Sequence, residues 1–159
     1  MPQGLDHEMI KNAILYAGEP EIQEMEVKTV TTFGPGRLVI ADTTEYQCQV
    51  AGAGSAIVLG VADVPSDQKL TAYYTPTAGG ALTKTFTAGD QIRVLRGDIV
   101  VKLVCDSAAT IVVGTRLIAA AEGMVTSGAT AGQCIGYSLE DKTTEIAECC
   151  DWVLVKLII

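Results

Sequence analysis

Groups capable of chemistry are few in this sequence of 159 residues, and their spacing argues against most of the reactions they would serve. Histidine occurs once, at His7, so Ser-His-Asp and Cys-His arrangements are available only if that leader residue is fixed in a cleft. The five cysteines, Cys48, Cys105, Cys134, Cys149 and Cys150, contain no C-x-x-C spacing and form no zinc ligand set with a single His. Three of them stand in apolar strand-like runs, where a thiol serves as a small hydrophobe. Cys149 and Cys150 are adjacent, a pairing that admits redox chemistry, but neighbours on a strand face opposite ways and bridge poorly. Asp90 and Asp98 each follow a glycine, so turn chemistry accounts for both carboxylates. The acidic groups Glu19, Glu21, Glu24, Glu26 and Glu140, Asp141, Glu145, Glu148, Asp151 lack the order of a calcium loop and read as solvated surface. The expectation is no enzyme, no cofactor and no metal.

Three local patterns imitate functional motifs. Ala51-Gly52-Ala53-Gly54-Ser55-Ala56 approaches a dinucleotide loop, but Ile57 stands where the third glycine belongs and no helical pattern follows. Arg96-Gly97-Asp98 matches the integrin-ligand tripeptide, yet Gly97-Asp98 has a turn to make. The stretch Leu139 to Ile146 looks like the hairpin around a lipoyl-bearing lysine, but Lys142 sits too late in the chain for that domain type.

The elements that must position these residues are β-strands. Apolar residues make up 48% of the chain and aromatics only 5%; with 16 glycines, this composition favours short strands and many turns. No apolar run approaches the roughly 20 residues of a membrane helix, and no secretory signal is visible, so a soluble protein made in the cytosol is expected. The net charge of −8, with 11 scattered Lys and Arg, argues against direct nucleic-acid binding.

Along the chain, residues 1–21 read as an N-terminal arm. It is either a short helix capped by Asp6, with Leu5, Met9, Ala13 and Ala17 in a stripe and Gly18 as its stop, or a segment that orders on docking. Alternation from Glu24 puts Met25, Val27, Thr29, Thr31 and Phe33 on one face. Gly34-Pro35-Gly36 then turns the chain and Arg37–Ala41 runs back. Ile57–Ala62 reads as a buried strand with a close-approach glycine at Gly60. Residues 65–87 form a polar excursion in which two strands pair around Pro76–Gly80 and carry Tyr73 and Tyr74, a contact surface or a decorated loop. Residues 88–125 read as two successive hairpins of one antiparallel sheet, each punctuated by glycine. Trp152–Ile159 has apolar groups on both faces, as suits a central strand or one at a subunit contact.

With those strands placed, the sequence resembles the capsid cement, or head decoration, proteins of tailed bacterial and archaeal viruses. The resemblance lies in the series Phe33–Val39, Val58–Ala62, Ala88–Val94, Gly97–Val101, Val113–Leu117, Glu122–Val125, Ile135–Leu139 and Trp152–Leu157, covering about residues 25–159. It implies an all-β fold, a small antiparallel barrel or β-tulip-like domain over residues 22–159, with residues 1–21 as the arm. It also implies a protein on the outer capsid surface of the virion, made in the host cytoplasm, commonly a homotrimer, that stabilises the head by bridging subunits of the major capsid protein. No membrane or direct nucleic-acid contact belongs to that role. The expected capsid contacts are Leu5, Met9, Ile10, Ile14 and Tyr16 on the arm, with Tyr73 and Tyr74 on the excursion. The alternative is a non-viral β-barrel module binding a ligand or carbohydrate, which requires clustered aromatics, and only Tyr73-Tyr74 offers a candidate.

Overall fold

A strand rich in Val, Ile and Leu leaves two rows of backbone groups to satisfy, and this chain satisfies most of them by closing its sheets on themselves. The computed structural model describes residues 14–28, 33–63, 86–128, 132–144 and 151–159. The strands are β1 (Leu15–Ala17), β2 (Glu21–Val27), β3 (Leu38–Ala41), β4 (Gln47–Val50), β5 (Gly60–Asp63), β6 (Gln91–Arg96), β7 (Val100–Cys105), β8 (Arg116–Ala119), β9 (Val125–Ser127), β10 (Gly136–Ser138), β11 (Thr143–Thr144) and β12 (Asp151–Leu157). The fold is all-β, as expected, but it contains two closed five-stranded barrels rather than one. The first runs β2-β4-β3-β5-β6 and the second β7-β9-β8-β10-β12, with β1 and β11 added to the edges of β7 and β12.

The two barrels repeat one topology residue by residue. In each, the first strand pairs in parallel with the third (β2 with β4, β7 with β9) and antiparallel with the last (β2 with β6, β7 with β12). Val27 faces Cys48 as Cys105 faces Val125, and Met25 faces Ile92 as Leu103 faces Val153. Val39 stands opposite Gly60 as Leu117 stands opposite Gly136. The irregular hydrogen bonds recur as well. The N–H of Gly36 donates to Ala62 O at 2.9 Å and that of Gly114 to Ser138 O at 2.8 Å; Leu59 donates to Val39 O and Ile135 to Leu117 O, both at 2.9 Å. Even the left-handed residue before the third strand is shared, Tyr46 at φ 60° and Gly123 at φ 72°. Each of these core pairs is buried in both copies, and one apolar cluster runs through the two barrels.

Several expectations change. Residues 88–125 do not form one sheet: β6 closes the first barrel, β7 opens the second, and Arg96-Gly97-Asp98 is the link between them. The edges of β6 are already taken by β2 and β5, which leaves β7 no place beside it. Gly34-Pro35-Gly36 makes no hairpin of β2 with β3, because β4 lies between those strands. The ladder strand is Gly60–Asp63 and takes in only the second half of the expected strand at 57–62, while Ile57 is 74% exposed. At the end of the expected arm, Ile14 is buried and Leu15–Ala17 is a strand on Val100–Val101, so Ala17 belongs to sheet rather than helix. Residues 1–13 lie outside the described residues, as do Tyr73, Tyr74 and the Cys149-Cys150 pair; Phe86, at the end of the excursion, is buried edge-on against Phe33. The close-approach glycine is where the pattern placed it, and β12 is a central strand with Val153, Val155 and Leu157 fully buried.

The twin glycines give a first prediction. A Cβ at Gly60 would collide with Leu95 O, and one at Gly136 with Lys156 O, both backbone atoms that cannot swing aside. Gly60→Ala and Gly136→Ala should each destabilise by about 1–3 kcal/mol, the usual range for overpacking, and lower Tm by several degrees in a thermal melt. Equal melting of both variants and the wild type would contradict the close crossing. The buried thiols give a second. Burial pushes Cys48 up to about 11 and Cys105 up to about 12, with Asp151 adding to the latter. An unfolded thiol ionises near 9, so between pH 9 and those values the unfolded chain releases protons that the native state keeps. Stability should therefore fall as pH rises through that window, by at most about 1.4 kcal/mol per pH unit per thiol. In native protein at pH 8, a maleimide should label Cys134 ahead of both; early labelling of Cys48 or Cys105 would contradict their burial.

Candidate functional site

The chemical groups singled out in the sequence are absorbed by structure where they are described. The Asp90 carboxylate accepts the Thr87 N–H at 2.8 Å, which closes the turn carrying Gly89 at φ 94°. Arg96 pairs with Glu21 at 2.8 Å and Asp98 with Lys156, so the Arg-Gly-Asp link is pinned by one ion pair from each barrel. Lys142 is not displayed at a hairpin tip: its ammonium donates to Ser107 O at 2.6 Å, lies 3.1 Å from Asp151, and is mostly covered. Among the described residues no group of three or more His, Cys, Asp and Glu is placed to hold a metal ion. No helix among them is long and apolar enough to cross a membrane.

What the surface offers is contact. Of the expected arm residues, Ile14 is a core residue at 3% exposure and presents nothing outward, whereas Tyr16 on β1 is half exposed. A second apolar group stands at the end of the second barrel, where Val112, Val113 and Leu139 are 52%, 65% and 45% exposed. This group was not singled out as a site; its trace in the sequence is a pair of aliphatics placed directly before the turn glycine Gly114, where a polar residue is the ordinary choice.

The turn carrying Val112 and Val113 is firmly held. Thr115 Oγ1 donates to Val112 O at 2.8 Å and accepts the Val112 N–H at 3.1 Å. Ser138 Oγ also donates to Val112 O and accepts the Thr115 N–H at 2.9 Å. Asp141 takes the Val113 N–H at 3.0 Å, and Gly114 turns the chain at φ 84°. Beside this turn opens a cleft of about 340 Å³ lined by Thr115, Arg116, Ser127 and Gly128. The Arg116 guanidinium spans it, donating to Gly128 O at 2.8 Å and Gly132 O at 3.1 Å. Exposed aliphatic groups on a turn held by this many hydrogen bonds, beside a cleft, form an apolar surface patch of the kind that marks contact surfaces.

No protein-family model matches this chain, and no curated protein matches it. Among solved structures, the chain is similar to the head fiber gp8.5 N base in bacteriophage phi29, with 13% sequence identity and a TM-score of 0.49. That likeness covers 89% of this chain and 98% of the other. At this identity and TM-score it decides neither function nor partner.

Proposed function

We propose that this chain is a capsid decoration protein, which binds the outer surface of an assembled viral head and stabilises it by bridging coat subunits. The observation that carries the reading is the held turn with its exposed Val112 and Val113, an apolar contact surface on a chain whose glycine-and-aliphatic series resembles the cement proteins over residues 25–159. The net charge of −8 fits a partner that is protein rather than nucleic acid. The partner is the major capsid protein, and the active form on the shell is a homotrimer. Each protomer supplies a modest contact and the trimer multiplies it through effective concentration. Residues 1–13 extend the contact across a neighbouring coat subunit.

The test uses purified particles of the virus that encodes the chain. The protein should be present on them, be removable by mild treatment, rebind when added back, and raise the temperature at which the genome escapes. Its absence from purified particles would defeat the assignment. Removing residues 1–13 should leave the cooperative melt intact, because the sheet and core of the described structure begin at Ile14 and Leu15, yet weaken rebinding by at least about tenfold. Undiminished rebinding would remove the arm from the mechanism while leaving the decoration role standing.

A further inference from the structure

The repeated topology offers a comparison for the exposed end of the second barrel, because the same end of the first barrel is already occupied. There, the turn Gly34-Pro35-Gly36 is buried against the second barrel: Gly36 O accepts the Val104 N–H at 2.9 Å, and the Trp152 ring covers the Gly36 backbone so closely that a Cβ would lie 2.7 Å from it. Beside that turn, the groove between Arg37, Leu38, Val50 and Ala51 receives the turn Ala121-Glu122-Gly123 of the second barrel. Gly123 donates its N–H to Ala51 O at 2.7 Å, and the Arg37 guanidinium holds Glu122 O at 2.8 Å. Carried across by the strand registers, Gly34-Pro35-Gly36 becomes Val112-Val113-Gly114, and Arg37, Leu38, Val50 and Ala51 become Thr115, Arg116, Ser127 and Gly128. Those are the exposed turn and the described residues lining the cleft.

We infer that Val112, Val113 and the Thr115–Arg116–Ser127–Gly128 cleft form a docking site for a glycine-tipped turn of another protein flanked by an apolar strand edge, the arrangement that Ala121-Glu122-Gly123, Val104 and Trp152 present to the first barrel. A contact of this head-to-tail kind continues indefinitely if each copy offers both faces. This chain breaks the continuation. The positions on its first barrel equivalent to Val104 and Trp152 are Glu26 and Gln91, and the position equivalent to Gly123 is Tyr46, 65% exposed. A side chain cannot be seated there in the same manner, since a Cβ on Gly123 would already lie 2.7 Å from Leu38 O and from Val50 Cγ2. The equivalent face of a second copy is thus the wrong shape and polarity for the site. The occupant is a different protein, and on the decoration reading, on which this inference rests, it is a coat subunit of the shell.

The experiment compares four proteins for rebinding to stripped particles: wild type, Val113→Asp, Ser127→Trp, which fills the cleft, and Ile57→Asp as a control on a 74% exposed residue elsewhere. Sedimentation of each free protein is measured alongside. Val113→Asp and Ser127→Trp should weaken rebinding at least tenfold with an unchanged melting temperature, while Ile57→Asp binds as wild type does. Wild-type strength in both site variants would overturn the docking site and leave the decoration role intact. Failure of the wild type itself to bind would overturn both. A self-associated wild type that Val113→Asp converts to monomer would show the occupant to be a second copy and overturn the choice of partner.

Discussion

Each barrel is closed by one long antiparallel ladder, β2 with β6 in the first and β7 with β12 in the second, and the rest of the molecule follows from that closure. Each of these ladders joins six residue pairs, against two or three for every other ladder that closes the rings apart from the single β7–β9 bridge. A short strand on an open edge would leave unpaired N–H and C=O groups and invite pairing with other chains; closing the ring removes the edge. The ring is small, so strands cross where there is no room for a Cβ. Gly60 and Gly136, at the starts of equivalent strands, are where that limit is met.

Closure also explains why the barrels are separate rings joined by a short link. Once β6 has β2 and β5 on its two edges it can accept no further strand, and β7 must begin a new ring. Gly97, at φ 106°, allows the change of direction, and its N–H donates to Ile159 O at 2.7 Å, so the link is also tied to the end of the second barrel. The ion pairs of Arg96 with Glu21 and Asp98 with Lys156 are largely exposed, and pairs of that kind add little stability. The shared apolar core, with Trp152 over Gly36, is the stronger tie.

The differences between the copies bear on function more than their likeness does. The first barrel spends one end on its neighbour: glycine and proline replace bulk in the turn, and Leu38 and Val50 line the groove. The second barrel carries Val112, Val113, Arg116 and Ser127 at the matching places and leaves them at the surface. At the opposite face the substitutions run the other way, with Glu26, Gln91 and Tyr46 where the second barrel has Val104, Trp152 and Gly123. The two units are thus finished against each other on one side, while the matching end of the second barrel is left at the surface.

The sequence by itself determined the class of structure and the places where glycine is required. Period-two alternation around Met25 and Val27, the two-faced apolar strand at 152–159, and a glycine amid aliphatics at 57–62 are local signals, and local sterics and burial suffice to read them. The scarcity of reactive groups was equally plain from composition. Only the tertiary structure decided which strands pair, and with that came two barrels instead of one sheet, the burial of Ile14, and the role of Arg96-Gly97-Asp98 as a link. Pairing is set by which edges are already taken, a property of the whole ring that no window of the chain contains. The repeat was hidden for the same reason: its two copies share hydrogen-bond register and burial, conserved by geometry, while their side chains are aliphatics exchanged for one another, as Met25 for Leu103 and Val39 for Leu117.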